Sequence, residues 1–240
     1  MIAGGPVTPG MSGTVSPGRA DDEHGVPSQW SGRDGIARPT LALVGCAAPQ
    51  VLTLPVMVQA AQDAGWRTTV VLTPTAARWL ESDLPTLARI TGSPVRSEYS
   101  LPADPAPDGR PDAVLVAPTT VNSLHKCAVG ISDTLALGVM NEAIGLGRPL
   151  VLALACQARD VVHPAFAASV AILRGAGVEV LMPELPDDVV LQRIPPTPAP
   201  AATGDPPTGD PPTGAQPAAP WRQALTLVTS LIPMPPTDPG

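Results

Sequence analysis

The sequence predicts an α/β protein, a single domain on a doubly wound parallel sheet with disordered additions at both ends. Three observations carry this. Short strand-like runs of apolar and β-branched residues recur at 41–45, 67–72, 113–117, 149–155 and 177–182, with 113–117 and 149–155 apolar enough for strands buried on both faces. Helical apolar spacing fills several of the stretches between them, which is the alternation of a parallel sheet. The chain has 240 residues, 44% of them hydrophobic, enough for one such core plus extensions.

Residues 1–38 are rich in Gly, Pro, Ser and charge without periodicity, the composition of a disordered extension. The domain is placed at 39–194. Its first strand, 41–45, runs into the turn Cys46-Ala47-Ala48-Pro49. Val51 to Ala64 has helical spacing and closes on Gly65, a common residue past a helix C-terminus. RTTVVL at 67–72 is the second strand, and Thr73-Pro74-Thr75 opens a helix reaching Leu80. The signal weakens from Leu84 to Arg110, with strand-like composition only at 96–101. The strand after Asp112 ends at Ala117, and Pro118 begins a polar turn, Thr119 to Ser123. A helix with the chain's only lysine, Lys126, follows and breaks at Gly130. A second helix, capped by Ser132-Asp133, reaches Gly147. Strand 149–155, polar loop 156–162, helix 164–175 with Pro164 in its first turn, and strand 177–182 complete the series. Residues 195–220 hold a tandem TGDPP repeat and read as a flexible, partly polyproline linker. Residues 221–232 have one apolar face and are expected to dock back as a helix; 233–240 is a tail.

Phe and Tyr occur once each, so the core is expected to be aliphatic. The formal net charge of −7 argues against a nucleic-acid surface. Arginine outnumbers lysine 13 to 1, which reads as a coding bias and not as an arginine-based site. Cys46, Cys127 and Cys156 are odd in number and lack metal-ligand spacing, so they read as free thiols of a reducing compartment. With no stretch of membrane-span length and no basic-then-apolar leader, the chain is expected to be soluble and cytoplasmic.

Ligands of open α/β sheets bind outside the carboxyl ends of the strands, so 118–123, with its hydroxyls and amide, is the first place to look for chemistry. Taken singly, the residues there have plain roles. Asn122 can cap a helix, Lys126 is a solvated helix charge, and His125 lies on a helix surface or interface. His163 can cap the helix at Pro164, and free cysteines are usually small buried hydrophobes.

Together they form a pattern. PTTVNS at 118–123, the spacing Asn122-x3-Lys126-x3-Gly130-Ile131-x-Asp133-x-Leu135, and His163-Pro164-Ala165 resemble the flavoprotein family of homo-oligomeric FMN-containing cysteine decarboxylases. That family includes phosphopantothenoylcysteine decarboxylase and the lantibiotic peptide decarboxylases, with flavin prenyltransferases more distant. Its usual first motif is P-A-S-A-N-T, and the likeness covers about 40–183.

The resemblance implies a flavodoxin-like or Rossmann-like domain with FMN as cofactor. Its substrate would be a small thiol- or carboxylate-bearing compound or a peptide C-terminus. The assembly would be a homo-oligomer, a trimer or a multiple of it. It also implies that Pro118, Thr119, Thr120, Asn122 and Ser123 line the flavin, with Asn122 near the reacting centre. Asp133 is expected at the ribityl chain or a subunit contact. A flavin phosphate needs N–H groups and hydroxyls at a helix start. Gly45, Cys46 and Ala47, with Thr73 and Thr75, are placed to supply them.

Two departures stand out. No His lies between Tyr99 and Asp112, where the family's active-site His is expected. The family's P-x-M-N-x-x-M-W substrate clamp corresponds here to residues 154–161, LACQARDV. Gln157 would stand in for its amide, and Arg159 could meet a carboxylate. Turnover of the usual cysteine substrates is therefore not expected. A flavin enzyme with altered chemistry is one reading; a flavin-binding carrier, electron-transfer or assembly protein is the other.

Overall fold

A five-stranded parallel sheet organises the computed structural model, which describes residues 38–100, 109–184 and 220–234. The strands are β1 (Thr40–Gly45), β2 (Arg67–Leu72), β3 (Ala113–Thr120), β4 (Leu150–Ala155) and β5 (Glu179–Leu181), in the spatial order β2-β1-β3-β4-β5. β1 is buried throughout, which is why TLALVG carries no alternation. Its side chains still split by face. Leu41 and Leu43 belong to one apolar layer, Ala42 and Val44 to the other.

The first layer is covered by α1 (Leu54–Asp63), which follows a 3-10 turn at Pro49–Thr53, by α3 (Leu84–Thr91), and by α8 (Trp221–Ser230). The second is covered by α4 (Val121–Ala128), α5 (Leu135–Gly145) and α7 (Pro164–Gly175). Two short helices, α2 (Pro74–Trp79) and α6 (Ala158–Val161), follow β2 and β4 at their carboxyl ends. Strand order reverses between β1 and β3, so the connections leaving these two strands diverge and open a crevice above them.

The α/β class, the strands, and the helices after β1 and before β5 lie where the sequence puts them. Several details differ. β3 does not stop at Ala117. It runs on to Thr120, with a register shift against β4 between Val116 and Thr119 and a cis Ala117–Pro118 bond. The weak region contains α3, closed by Gly92 at φ 69°, and among the described residues 96–100 the strand pairing is a single bridge, Val71 to Arg96. The polar loop after β4 contains α6. The core is aliphatic apart from two aromatic residues, Phe166 and the larger Trp66. Trp66 is 1% exposed, and its Nε1 donates to Thr229 Oγ1 at 3.0 Å, tying α8 to the sheet. The readings of 1–37, 101–108, 185–219 and 235–240 fall outside the described residues. Among the described residues, no helix is long and apolar enough to cross a membrane.

Candidate functional site

The ends of β1, β2 and β3 are stitched into one rim. Thr73 N–H donates to the Gly45 carbonyl at 3.0 Å, and Cys46 N–H donates to the Pro118 carbonyl at 3.0 Å. Gly45 is there for space. A Cβ would stand 2.8 Å from the Leu72 side chain and 3.0 Å from Val51, so a larger residue would have to displace these buried side chains. In the turn that follows, Ala48 N–H bonds the Cys46 carbonyl, while Ala47 N–H has no backbone partner among the described residues. Across β2, Thr73 caps α2 by accepting the Ala76 N–H. Thr75 accepts a hydrogen bond from Arg78 Nη2 at 3.1 Å. This brings a guanidinium to the start of α2. The arginine excess hid that residue; its position three after Thr75 on a helix was the available signal.

At the end of β3, the cap of α4 is Thr120, not Asn122. Thr120 Oγ1 accepts the Ser123 N–H, and the two hydroxyls lie 3.0 Å apart. Ser123 is buried and receives Cys46 Sγ–H at 3.3 Å, so its hydroxyl belongs to a thiol–hydroxyl chain inside the rim. Thr119 is fully buried and donates back to the Val116 carbonyl at 2.9 Å. Pro118 is buried as well. Asn122 alone is exposed, and its amide has no hydrogen bond among the described residues. Thus of the polar groups at 118–123, the Asn122 side chain is the one left for a ligand.

Asp133 also differs from expectation. Thr134 caps α5 by accepting the Leu137 N–H, and Asp133 pairs with Lys126 at 2.5 Å. Lys126 is therefore no free charge, although a pair this exposed adds little stability. The loop between α4 and α5 is held from two further sides. Asn141 Nδ2 donates to the Ile131 carbonyl and Ser132 Oγ, and Tyr99 Oη reaches the Ser132 and Thr134 carbonyls, both at 3.1 Å.

Beyond β4, Gln157 precedes α6, and its N–H is taken by Asp160 Oδ2 at 2.7 Å. Arg159 is exposed, with no ion pair among the described residues. Cys46 and Cys156 follow β1 and β4, yet both are buried, as is Cys127, and all three are free. Burial raises the Cys46 thiol, outweighing the Ser123 and Thr120 hydrogen bonds that favour thiolate. Burial pushes Cys127 and Cys156 up to about 11, with smaller contributions from Cys46 and Asp160 respectively. These are packing thiols. No group of three or more His, Cys, Asp or Glu among the described residues could hold a metal ion.

The profile of the flavoprotein family matches residues 33–197. The chain belongs to the flavoprotein family. Solved structures agree on the fold. The FMN-dependent cysteine decarboxylase TvaF from thioviridamide biosynthesis superposes on this flavoprotein at a TM-score of 0.55 with 27% identity, over 61% of this chain and 91% of its own. The FMN-dependent cysteine decarboxylase SpaF gives 0.53 with 22% identity, over 63% and 87%. HAL3 from Cryptococcus neoformans gives 0.55 with 18% identity, over 80% and 95%. No curated protein matches the sequence.

Proposed function

We propose that this flavoprotein binds FMN at the rim of β1, β2 and β3. There it would act on a small thiol- or carboxylate-bearing compound or a peptide C-terminus, by decarboxylase-like or redox chemistry. The observation that carries this is Asn122. Its neighbours' hydroxyls are spent inside the fold, while its amide stands free at the strand-to-helix turn.

The donor set fits the cofactor. Ala47 N–H, the Thr73 and Thr75 region and Arg78 offer the main-chain, hydroxyl and guanidinium groups that a phosphate monoester takes. Asp133 answers to Lys126 in this arrangement and is assigned to holding the loop before α5. Bound there, FMN supplies two-electron redox capacity. Asn122 would hold the substrate's carboxylate or enethiolate against it. Gln157 and Arg159 would engage the substrate from the β4 side. The three reduced thiols accord with a cytoplasmic protein, and we expect a homo-oligomer, a trimer or a multiple of it.

The second reading is a carrier, electron-transfer or assembly protein; the empty His position between Tyr99 and Asp112 favours it. One preparation tests both. The full chain should purify yellow and release flavin on denaturation. A folded, colourless chain that takes up no FMN at micromolar concentration overturns the proposal. Carbon dioxide from cysteine-ended peptides or phosphopantothenoylcysteine would make it a decarboxylase; we expect none. Reduction of the bound flavin by a nicotinamide donor would make it an oxidoreductase, and silence in all assays leaves the carrier.

A further inference from the structure

Two imidazoles, His125 and His163, meet where α4 packs against α7. His125 lies one turn after Asn122 on α4, and His163 caps α7 immediately after the α6 segment that carries Gln157 and Arg159. Their ring centroids are 5.9 Å apart, and Phe166 meets His125 edge-on at 6.5 Å. Each ring is tied at Nδ1. His125 Nδ1 lies 2.8 Å from Ser169 Oγ, and Ser169 is buried. His163 Nδ1 accepts the Ala165 N–H at 3.2 Å. Neither Nε2 has a partner among the described residues. Two ring edges are thus held in place with their outer nitrogens free.

The cap bond decides what His163 can do. An Nδ1 that accepts an N–H carries no hydrogen, so the neutral ring keeps its proton on Nε2. That nitrogen donates and has no lone pair for a metal. The ligand it suits is an anion with hydrogen-bond acceptors. Arg159, exposed and without an ion pair among the described residues, adds a planar cation from the same segment. Asp160 is the acidic neighbour, and its Oδ2 is already occupied by the Gln157 N–H.

We propose that the His125–His163 pair, flanked by Arg159, is a carboxylate-binding subsite of the cleft. His163 Nε2–H donates to one oxygen, the guanidinium meets the other, and His125 positions the His163 ring. The subsite takes its ligand from the proposed function, namely a substrate that carries a free carboxylate as well as a thiol. Its chemistry does not require the flavin.

The test uses the full chain, N-acetylcysteine as probe and N-acetylcysteinamide as its neutral twin, read by histidine ring resonances. In the free protein, His163 should show the Nε2–H tautomer. N-acetylcysteine should shift the His163 and His125 rings, and the amide should bind roughly tenfold more weakly, the loss expected for one charge-assisted hydrogen bond. His163→Asn keeps a capping side chain and removes the ring; it should reduce the preference for the carboxylate, leaving only the part that Arg159 supplies, with FMN uptake unchanged. Arg159→Gln should weaken the acid and not the amide. Equal affinity for acid and amide, no binding of either, an unchanged preference in His163→Asn, or nickel shifting the two rings in place of the acid would each overturn the subsite. FMN uptake, measured on the same samples, reports separately on the flavin reading.

Discussion

At the scale of single residues, Asn122 and Thr120 have been separated by the structure, and their variants should separate too. Thr120→Ala removes the α4 cap and one partner of Ser123, and should cost about 1 kcal/mol of unfolding free energy. Asn122→Ala breaks no hydrogen bond among the described residues, so denaturation should be unchanged while FMN affinity falls roughly tenfold to a hundredfold. Equal affinity in the Asn122 variant would remove that residue from the site. The thiols give a pH prediction. Cys127 and Cys156 titrate near 11 in the fold against 9.0 when unperturbed. A raised thiol pKa means that the folded state holds its proton longer than the unfolded one. Its stabilising contribution is complete below pH 9 and is lost as pH rises towards 11. Denaturant midpoints should therefore drop across that window. Disulfide-exchange reagents should label these cysteines slowly at neutral pH.

Among elements, α5 shows how local preference yields to tertiary contact. Gly138 sits inside the helix, where glycine costs about 1 kcal/mol relative to alanine. The cost is explained by Tyr99, whose ring occupies the place a Cβ would need and whose hydroxyl bonds the carbonyls at the helix start. Gly138→Ala should displace Tyr99 and gain nothing. In a Tyr99→Ala background the same change should stabilise by about 0.5–1 kcal/mol. A gain of equal size in both backgrounds, read from urea midpoints, would show that the contact does not matter. No window of sequence contains this pair, and the same limit governs what was readable elsewhere. Continuous apolar runs marked β1 and β4, a β-branched run marked β2, and Pro164 marked the start of α7, because those signals are local. Pro118 looked like the end of a strand, since proline lacks a ladder donor, but β3 carries on past it with a shifted register. Asp133 looked like a cap because its type suits one. Thr134, one residue on, had the same claim, and the Lys126 ion pair settled the choice. In the candidate site, the positions at 118–123 were legible, but not which of their polar groups face inward. The closeness of His125 and His163 depends on how α4 packs against α7 and was invisible.

For the molecule as a whole, the question is what completes the sheet. β1, β3 and β4 present Leu41, Leu43, Leu115 and Val151 to the layer that Ala224, Leu225 and Val228 of α8 help to cover. Trp66 lies between, bonded to Thr229. Replacing Trp66 by alanine should cost about 3–5 kcal/mol. Stopping the chain after Glu184 should red-shift Trp66 fluorescence and leave a species that binds hydrophobic dyes; an unshifted, monomeric truncation would show that α8 is dispensable. The helix that finishes this layer lies far along the chain from β5. During translation, then, the other strands and helices emerge from the ribosome with the part of this layer that α8 covers still bare, and chaperones have a window in which to bind it that closes only when Trp221 and the turns after it arrive.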